Sequence, residues 1–499
     1  MNALGQRVAK NASVLMVAQL ITWGLAILLT IFMPRFLGPA AIGNFQLASS
    51  IWAIMTIFVT FGMDTLLTKE IARSPDKIDQ LFGTSVVLRA ILFVFGLITV
   101  GVYTSLLGYS PQTVILVFIV GIANIFVQLT SACQATLQGL ERMEYVSLSD
   151  IVSKTFITFA TLALLFLGYG VIPVAFVLIG GGIASSMIQF ISLNRLHPIK
   201  LKPDWSIAIW MLKASLPYLL IVGIRTVYIQ IDVVIISLLV SEVVLGWYSV
   251  ASRLFSTLLF IPTVLMMAVF PAMSRMHTVS SDTLQKIMRK NFDLMLIFGV
   301  PIGIGLFVIA DPLVILLFGP AFSGSGPVLA IMGLVLILTY QNMLLGQFLI
   351  STDRQAIWTR VMAVATLITV PLDLVFIPLC QKMFHNGAIG GSLSFLVTES
   401  VITIGGMWLL PKGTLRSANL WTATRVIIAG LVMGGLTWIT RDIFILVPIA
   451  VGAITYTSLI IGLRVISKGD WAFFMHIAQS TIARFHKTKP EPSGIGGEL

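Results

Sequence analysis

The chain has 499 residues, of which 57% are hydrophobic and 10% charged, and its mean hydropathy is +1.00, whereas soluble domains carry about 25% charged residues. This composition excludes a water-soluble enzyme and defines a polytopic membrane protein, because about 20 apolar residues per crossing leave no room for a large soluble domain. A net charge of +11 would suggest nucleic acid as partner of a soluble chain; in a membrane protein Lys and Arg report topology, so no nucleic-acid partner is expected.

Arg7 and Lys10 precede an apolar run too long for a signal-peptide core, so the first helix is expected to be retained. Apolar runs place helices near 13–33, 44–63, 81–107, 112–138, 145–168, 171–193, 211–237, 243–271, 291–317, 327–350, 357–380, 386–410, 419–439 and 445–466. The fold class is therefore all-α, with about fourteen transmembrane helices. Starting from a cytoplasmic N-terminus, 23 of the 31 Lys and Arg fall on the cytoplasmic side and three outside (Arg35, Lys382 and Arg441); five lie within or at the ends of helices. That asymmetry follows the positive-inside rule and places both termini in the cytoplasm. Cys133 and Cys380 sit in apolar stretches and read as core filler.

An internal repeat is visible. GNFQLASSIW from Gly43 matches GWYSVASRLF from Gly246, and QGLERMEY (Gln138 to Tyr145) is echoed by ISTDRQAI (Ile350 to Ile357). The offsets correspond to six helices, and an even number returns the chain to its starting side, so the halves are expected to be parallel about an axis along the membrane normal. The expected organisation is a six-helix lobe over 1–200, a second over 201–418, two additional helices over 419–466 and a cytoplasmic tail over 467–499. Residues 194–210 are the linker between lobes. The stretch 469–487 mixes aromatic and basic residues suited to the membrane interface, and the last residues read as disordered.

Charges inside apolar runs single out candidate functional residues, since each costs about 2.5 to 3.5 kcal/mol to insert and is expected to face protein or a wet cavity. Arg225 and Asp232 are seven residues apart, about 700° of helical rotation, so they share a face with Tyr228 between them. Arg253 lies in the next helix. Arg225 and Arg253 are the leading candidates for holding an anionic group such as a diphosphate; mutual neutralisation of Arg225 and Asp232 is the competing reading. Arg89 and Lys154 are further candidate cavity cations, with snorkelling, or pairing of Lys154 with Asp150, as the alternative. Glu399, and Asp373 between Pro371 and Pro378, are candidates for ion coupling, as is Asp232, and all three are equally candidates for simple pairing. Asn124, Gln128, Ser131, Gln134 and Gln138 form a polar stripe that either contacts sugar hydroxyls or glues helices together, and Tyr228 is a further candidate sugar contact. Tyr340, Gln341, Asn342 and Gln347 repeat the theme more weakly. The chain has no phosphate-binding loop, metal-ligand spacing or nucleophile elbow, so no enzymatic activity, metal or cofactor is expected.

PRFLGPAAIGNFQLASSIW from Pro34, TKEIAR (Thr68 to Arg73), QGLERMEY and DPLVILLFGPAF from Asp311 together resemble the polysaccharide transporter family. This is the Wzx-type oligosaccharide flippase branch of the multidrug/oligosaccharidyl-lipid/polysaccharide flippase superfamily. The resemblance spans nearly the whole chain. It implies two lobes around a central cavity, alternating access, and movement of an undecaprenyl-diphosphate-linked oligosaccharide across the cytoplasmic membrane. The expected partners are that lipid-linked oligosaccharide and membrane lipids, with a polysaccharide polymerase and glycosyltransferases acting alongside. An ion-coupled drug exporter of the same superfamily, a lipid II flippase and a non-transporting scaffold are the alternatives.

Overall fold

The computed structural model describes residues 3–465; the expectations for the tail lie outside the described residues. Every regular element among them is helical. In chain order these are α1 (Ala3–Thr60), α2 (Met63–Arg73), α3 (Ile78–Leu106), α4 (Pro111–Gly139), α5 (Met143–Phe166), α6 (Val171–Leu196), α7 (Trp205–Leu239) and α8 (Glu242–Leu258). They continue as α9 (Phe260–Val279), α10 (Ser281–Phe318), α11 (Ser325–Ser351), α12 (Gln355–Phe384), α13 (Gly387–Trp408), α14 (Ser417–Thr440) and α15 (Leu446–Gly462).

α1 is a hairpin, not one rod. Gly38, between Pro34 and Pro39, has φ 79° and ψ 170°, a region that only glycine enters readily. The fold-back is visible at Arg253, whose guanidinium lies 3.9 Å from the Met33 sulfur and 3.4 Å from Gln46 Oε1. Thirteen residues of straight helix would hold those two groups about 20 Å apart. The break expected over 34–43 is thus reduced to one residue. Among the described residues twelve helices are long and apolar enough to cross a membrane; with the hairpin counted twice and the shorter Leu446–Gly462 added, the crossings come to fourteen.

The repeat is built into the backbone. Both acid–Arg steps end their helices identically: Glu141 and Asp353 have φ of 58° and 57°. Arg142 N–H donates to Leu137 O at 2.9 Å, and Arg354 N–H to Leu349 O at 2.8 Å. This is the six-to-one closure of a left-handed helix cap. The packing repeats as well. The 39–60 arm, α3, α5 and α6 surround α4 as α8, α10, α12 and α13 surround α11. The halves cross where Gly43 meets the Glu242 backbone and Gly246 meets the Pro39 backbone. A Cβ at either glycine would collide with main chain, so the absence of a side chain is what permits this approach. α14 and α15 lie against α10, outside the repeat.

At the end of the bundle opposite most of the Lys and Arg, the halves are joined by polar bonds. Glu242 Oε1 accepts from the hydroxyls of Ser110 (2.8 Å) and Thr113 (3.3 Å), and the Tyr109 and Ser237 hydroxyls are 3.2 Å apart. At the basic end Gly62 packs on the α7 backbone at Ser215 and Leu219. The linker is strapped down there too: Lys200 N–H donates to Asp79 Oδ1 at 3.1 Å and Asp204 N–H to the Thr84 hydroxyl at 3.1 Å.

Candidate functional site

The sequence-derived candidates separate into four groups. Arg253, on α8, projects into the plane between the halves, held by both arms of α1. Besides Met33 and Gln46 it meets the Phe45 ring at 5.9 Å, and no Asp or Glu among the described residues lies within salt-bridge distance. The polar contacts continue across the interface. Gln46 Nε2 donates to the Ser50 hydroxyl at 3.4 Å, and Ser50 donates to Gln230 Oε1 on α7 at 2.8 Å. Gln46 and Ser50 are four apart and so share the face of α1 turned to the second half.

Arg89 is placed differently. It is 2% exposed, and its donors are directed to Ser85 Oγ (3.1 Å), Gln128 O (3.3 Å) and Asp64 Oδ1 (2.5 Å). Ser131 donates to the same Asp64 oxygen at 2.6 Å. With these bonds Arg89 clasps α2, α3 and α4 together. A buried guanidinium needs a counter-charge, and Asp64 supplies it from the first turn of α2, an element the hydropathy reading did not separate. The polar stripe of α4 is largely spent on helix contacts. Asn124 Oδ1 accepts from Thr56 at 3.2 Å, and Gln128 Nε2 reaches Thr56 Oγ1 at 3.5 Å; Gln134 is half-buried. On α11, Tyr340, Gln341 and Asn342 likewise bond to neighbouring helices.

The acidic candidates gather inside the second half. Glu399 accepts from Tyr228 Oη at 2.5 Å and from Asn342 Nδ2 at 2.6 Å, which ties α7, α11 and α13 together. Asp232, one turn beyond Tyr228, accepts from Tyr248 Oη at 2.8 Å. The Asp373 carboxyl, fully buried on α12, lies close enough to Asp232 for the two charges to interact, and neither of its oxygens nor Asp232 Oδ1 has a hydrogen-bond partner among the described residues. Ionised carboxylates have only acceptors, so such a pair meets through a shared proton or a cation. Arg225 and Lys154 are exposed and form no salt bridge within 4 Å among the described residues. Arg225 and Asp232 therefore do not neutralise each other, although the shared face with Tyr228 carries two of the three groups inward as expected.

Asp64, Gln46, Ser50, Gln230 and Tyr248 were not singled out from the sequence. The signal for Asp64 was present, an acid in FGMDTLL that a search for partners of Arg89 beyond its own helix would have met.

Fourteen crossings in two repeated halves, an arginine without an acidic partner between them and facing carboxyls inside one, define a two-lobed membrane transporter. The solved structures agree on the fold. A lipid II flippase, MurJ, in an inward closed conformation superposes with a TM-score of 0.72 at 14% identity, covering 91% of this chain and 99% of that one. An inward-facing multidrug resistance MATE family transporter of the MOP superfamily superposes with a TM-score of 0.63 at 14% identity, covering 81% and 94%. The chain belongs to the polysaccharide biosynthesis protein family, whose profile matches residues 8–277, in accord with the resemblance read from the sequence. Among its relatives, a probable flippase, AglR, of Haloferax volcanii is 25% identical over 404 residues, covering 77% of this chain and 79% of the relative. A putative O-antigen transporter of Shigella dysenteriae is 24% identical over 361 residues, covering 70% and 87%.

Proposed function

We propose that this protein is a flippase that moves an undecaprenyl-diphosphate-linked oligosaccharide, an O-antigen, capsule or exopolysaccharide repeat unit, between the leaflets of the cytoplasmic membrane by alternating access. Both termini are cytoplasmic, and glycosyltransferases and a polymerase act before and after it. The observation that carries this reading is Arg253. A guanidinium held between the halves by an amide, a thioether and an aromatic ring, without a carboxylate, retains its charge for a visiting anion, and a diphosphate is the anion such cargo carries. Family membership and the flippase and O-antigen transporter relatives support the cargo class.

In this reading the lobes are 1–200 and 201–418, with 419–466 as an addition. Arg225 and Lys154, both exposed, add positive charge for the diphosphate, and Gln134 is available to sugar. Arg89 supports the first lobe from within. Asp232 and Asp373, with Glu399 close by in the same lobe, exchange a proton or a monovalent cation that couples the movement to a gradient. An apolar pocket of about 810 Å³ between α1, α8, α10, α14 and α15 suits the isoprenoid chain.

The test is transfer of an undecaprenyl-diphosphate oligosaccharide between leaflets of liposomes. Arg253→Ala is expected to lower the rate at least tenfold at equal amounts of folded protein, with Arg253→Lys intermediate because an ammonium lacks the planar fork. Full-rate transfer by Arg253→Ala overturns the assignment.

A further inference from the structure

Two prolines stand in neighbouring crossings, Pro262 next to the break between α8 and α9 and Pro301 inside the continuous α10, and each releases a backbone carbonyl that a tyrosine from another helix takes up. Pro262 has no N–H for Leu258 O, and the chain breaks there between α8 and α9. The buried Tyr340 of α11 donates its hydroxyl to Leu258 O at 2.8 Å. Pro301 likewise leaves Ile297 O without its partner inside α10, and Tyr456 of α15 donates to it at 2.8 Å. Helices bend where proline removes this bond, and a freed carbonyl in apolar surroundings is costly unless something donates to it. The hydroxyls of Tyr340 and Tyr456 therefore belong to the two bends.

The segment between the bends is one structural unit. α9 runs from Phe260 to Val279, turns at Ser280, and returns as the first half of α10, so residues 260–300 form a two-helix arm with a proline at each root. Its tip reaches the basic end of the bundle, where the His277 ring lies 3.8 Å from the Asp353 carboxylate. Arg289 there donates to the carbonyls of Gly413 and Thr414 at 3.4 and 3.3 Å. The apolar pocket opens at the roots of the arm: Leu258, Ile297, Pro301 and Tyr456 all line it. The pocket thus borders the acceptor residue of one bond, Leu258, and both partners of the other, Ile297 and Tyr456.

We propose that residues 260–300 form a swinging arm hinged at Pro262 and Pro301, and that Tyr340 and Tyr456 are positioning residues which latch it. An isoprenoid chain entering the pocket displaces these hydroxyls and releases the arm. The occupant rests on the flippase reading; the latches stand on the geometry alone. A swing of about 20° about Pro301 carries Lys286, fifteen residues away, through about 8 Å.

The experiment is the distance between spin labels at Lys286→Cys on the arm and Arg360→Cys on α12, measured by pulsed resonance; the native cysteines are buried. Without cargo, the labelled parent gives one narrow distance, and Tyr456→Phe raises the population of a second distance about tenfold, the effect of one lost hydrogen bond. Adding Pro301→Ala to Tyr456→Phe returns an N–H to Ile297 O and restores the single distance. Tyr340→Phe and Pro262→Ala behave in the same way, whereas Pro262→Ala does not restore Tyr456→Phe. A narrow distance in folded Tyr456→Phe, or no restoration by Pro301→Ala, overturns the latch. Should Tyr456→Phe fail to fold, the paired variant still decides, since it must fold and hold one distance. Adding undecaprenyl-diphosphate oligosaccharide to the parent is expected to populate the second distance. If transfer between leaflets is absent while the cargo-free results hold, the flippase reading fails and the latch survives.

Discussion

The clasp around Arg89 makes a quantitative prediction. Arg89 is 2% exposed and directs three donors to protein acceptors, one of them charged, while the Asp64 side chain is 43% exposed. Removing one partner of a fully buried ion pair costs about 3 to 5 kcal/mol. Asp64 is partly wet, and Ser85 and the Gln128 carbonyl remain, so Asp64→Ala is expected to destabilise by about 2 kcal/mol. Arg89→Met leaves a carboxylate that still reaches water and the Ser131 hydroxyl, and costs about 1 kcal/mol. In the double variant no guanidinium is left without a counter-charge, so its cost falls short of the sum by about 1 kcal/mol or more. Thermal unfolding in detergent reads all three, with the rate of cargo transfer per folded molecule measured in parallel. Strictly additive costs would refute the clasp. So would a well-folded double variant with transfer abolished, because Arg89 would then be acting on cargo.

Two further predictions follow from the halves and the linker. Gly246→Leu places a side chain against the Pro39 backbone and is expected to force the halves apart, eliminating transfer while Gly435→Leu, in open space on α14, is tolerated; equal transfer by the two variants contradicts the crossing. Asp204 caps α7 by accepting from the Ser206 and Ile207 N–H groups at 2.8 and 3.3 Å. Bonds from the Ser206 hydroxyl and these amides hold its carboxyl below the usual carboxylate range. Its contribution is therefore present above the unfolded value of about 3.9 and lost as pH falls through the lower folded value. Asp204→Asn should remove that component from the acid limb of a pH–stability curve, and an unchanged limb counts against it.

Much of the architecture was legible before any coordinates, because the membrane imposes its period on composition. Every expected crossing has a helix, and the repeat noticed at Gly43 and Gly246 proves to be a place where the backbones of the two halves meet. The hairpin at Gly38 was less visible, since one residue suffices to turn the chain and the apolar run barely pauses. The site was harder to read. Spacing along a helix tells which side chains share a face, and it brought Tyr228 and Asp232 together correctly. It says nothing of a partner from another helix, so Asp64 was missed beside Arg89, and the amides of α4 did not reveal that Thr56 would occupy them. The bonds of Tyr340 and Tyr456 were less accessible still: their acceptors are main-chain carbonyls, which every residue carries alike.

The meeting of Gly43 with Gly246 also ties the two repeats together in register. Each glycine lies against the backbone four residues before the other, Glu242 and Pro39, so the same motif serves as guest and host. A one-residue insertion ahead of either glycine would rotate it by about 100° out of the contact and bring a bulky neighbour into a gap sized for hydrogen. Length changes near this point are therefore not tolerated in either half, which leaves the tips of the outlying loops as the places where such a chain is free to vary.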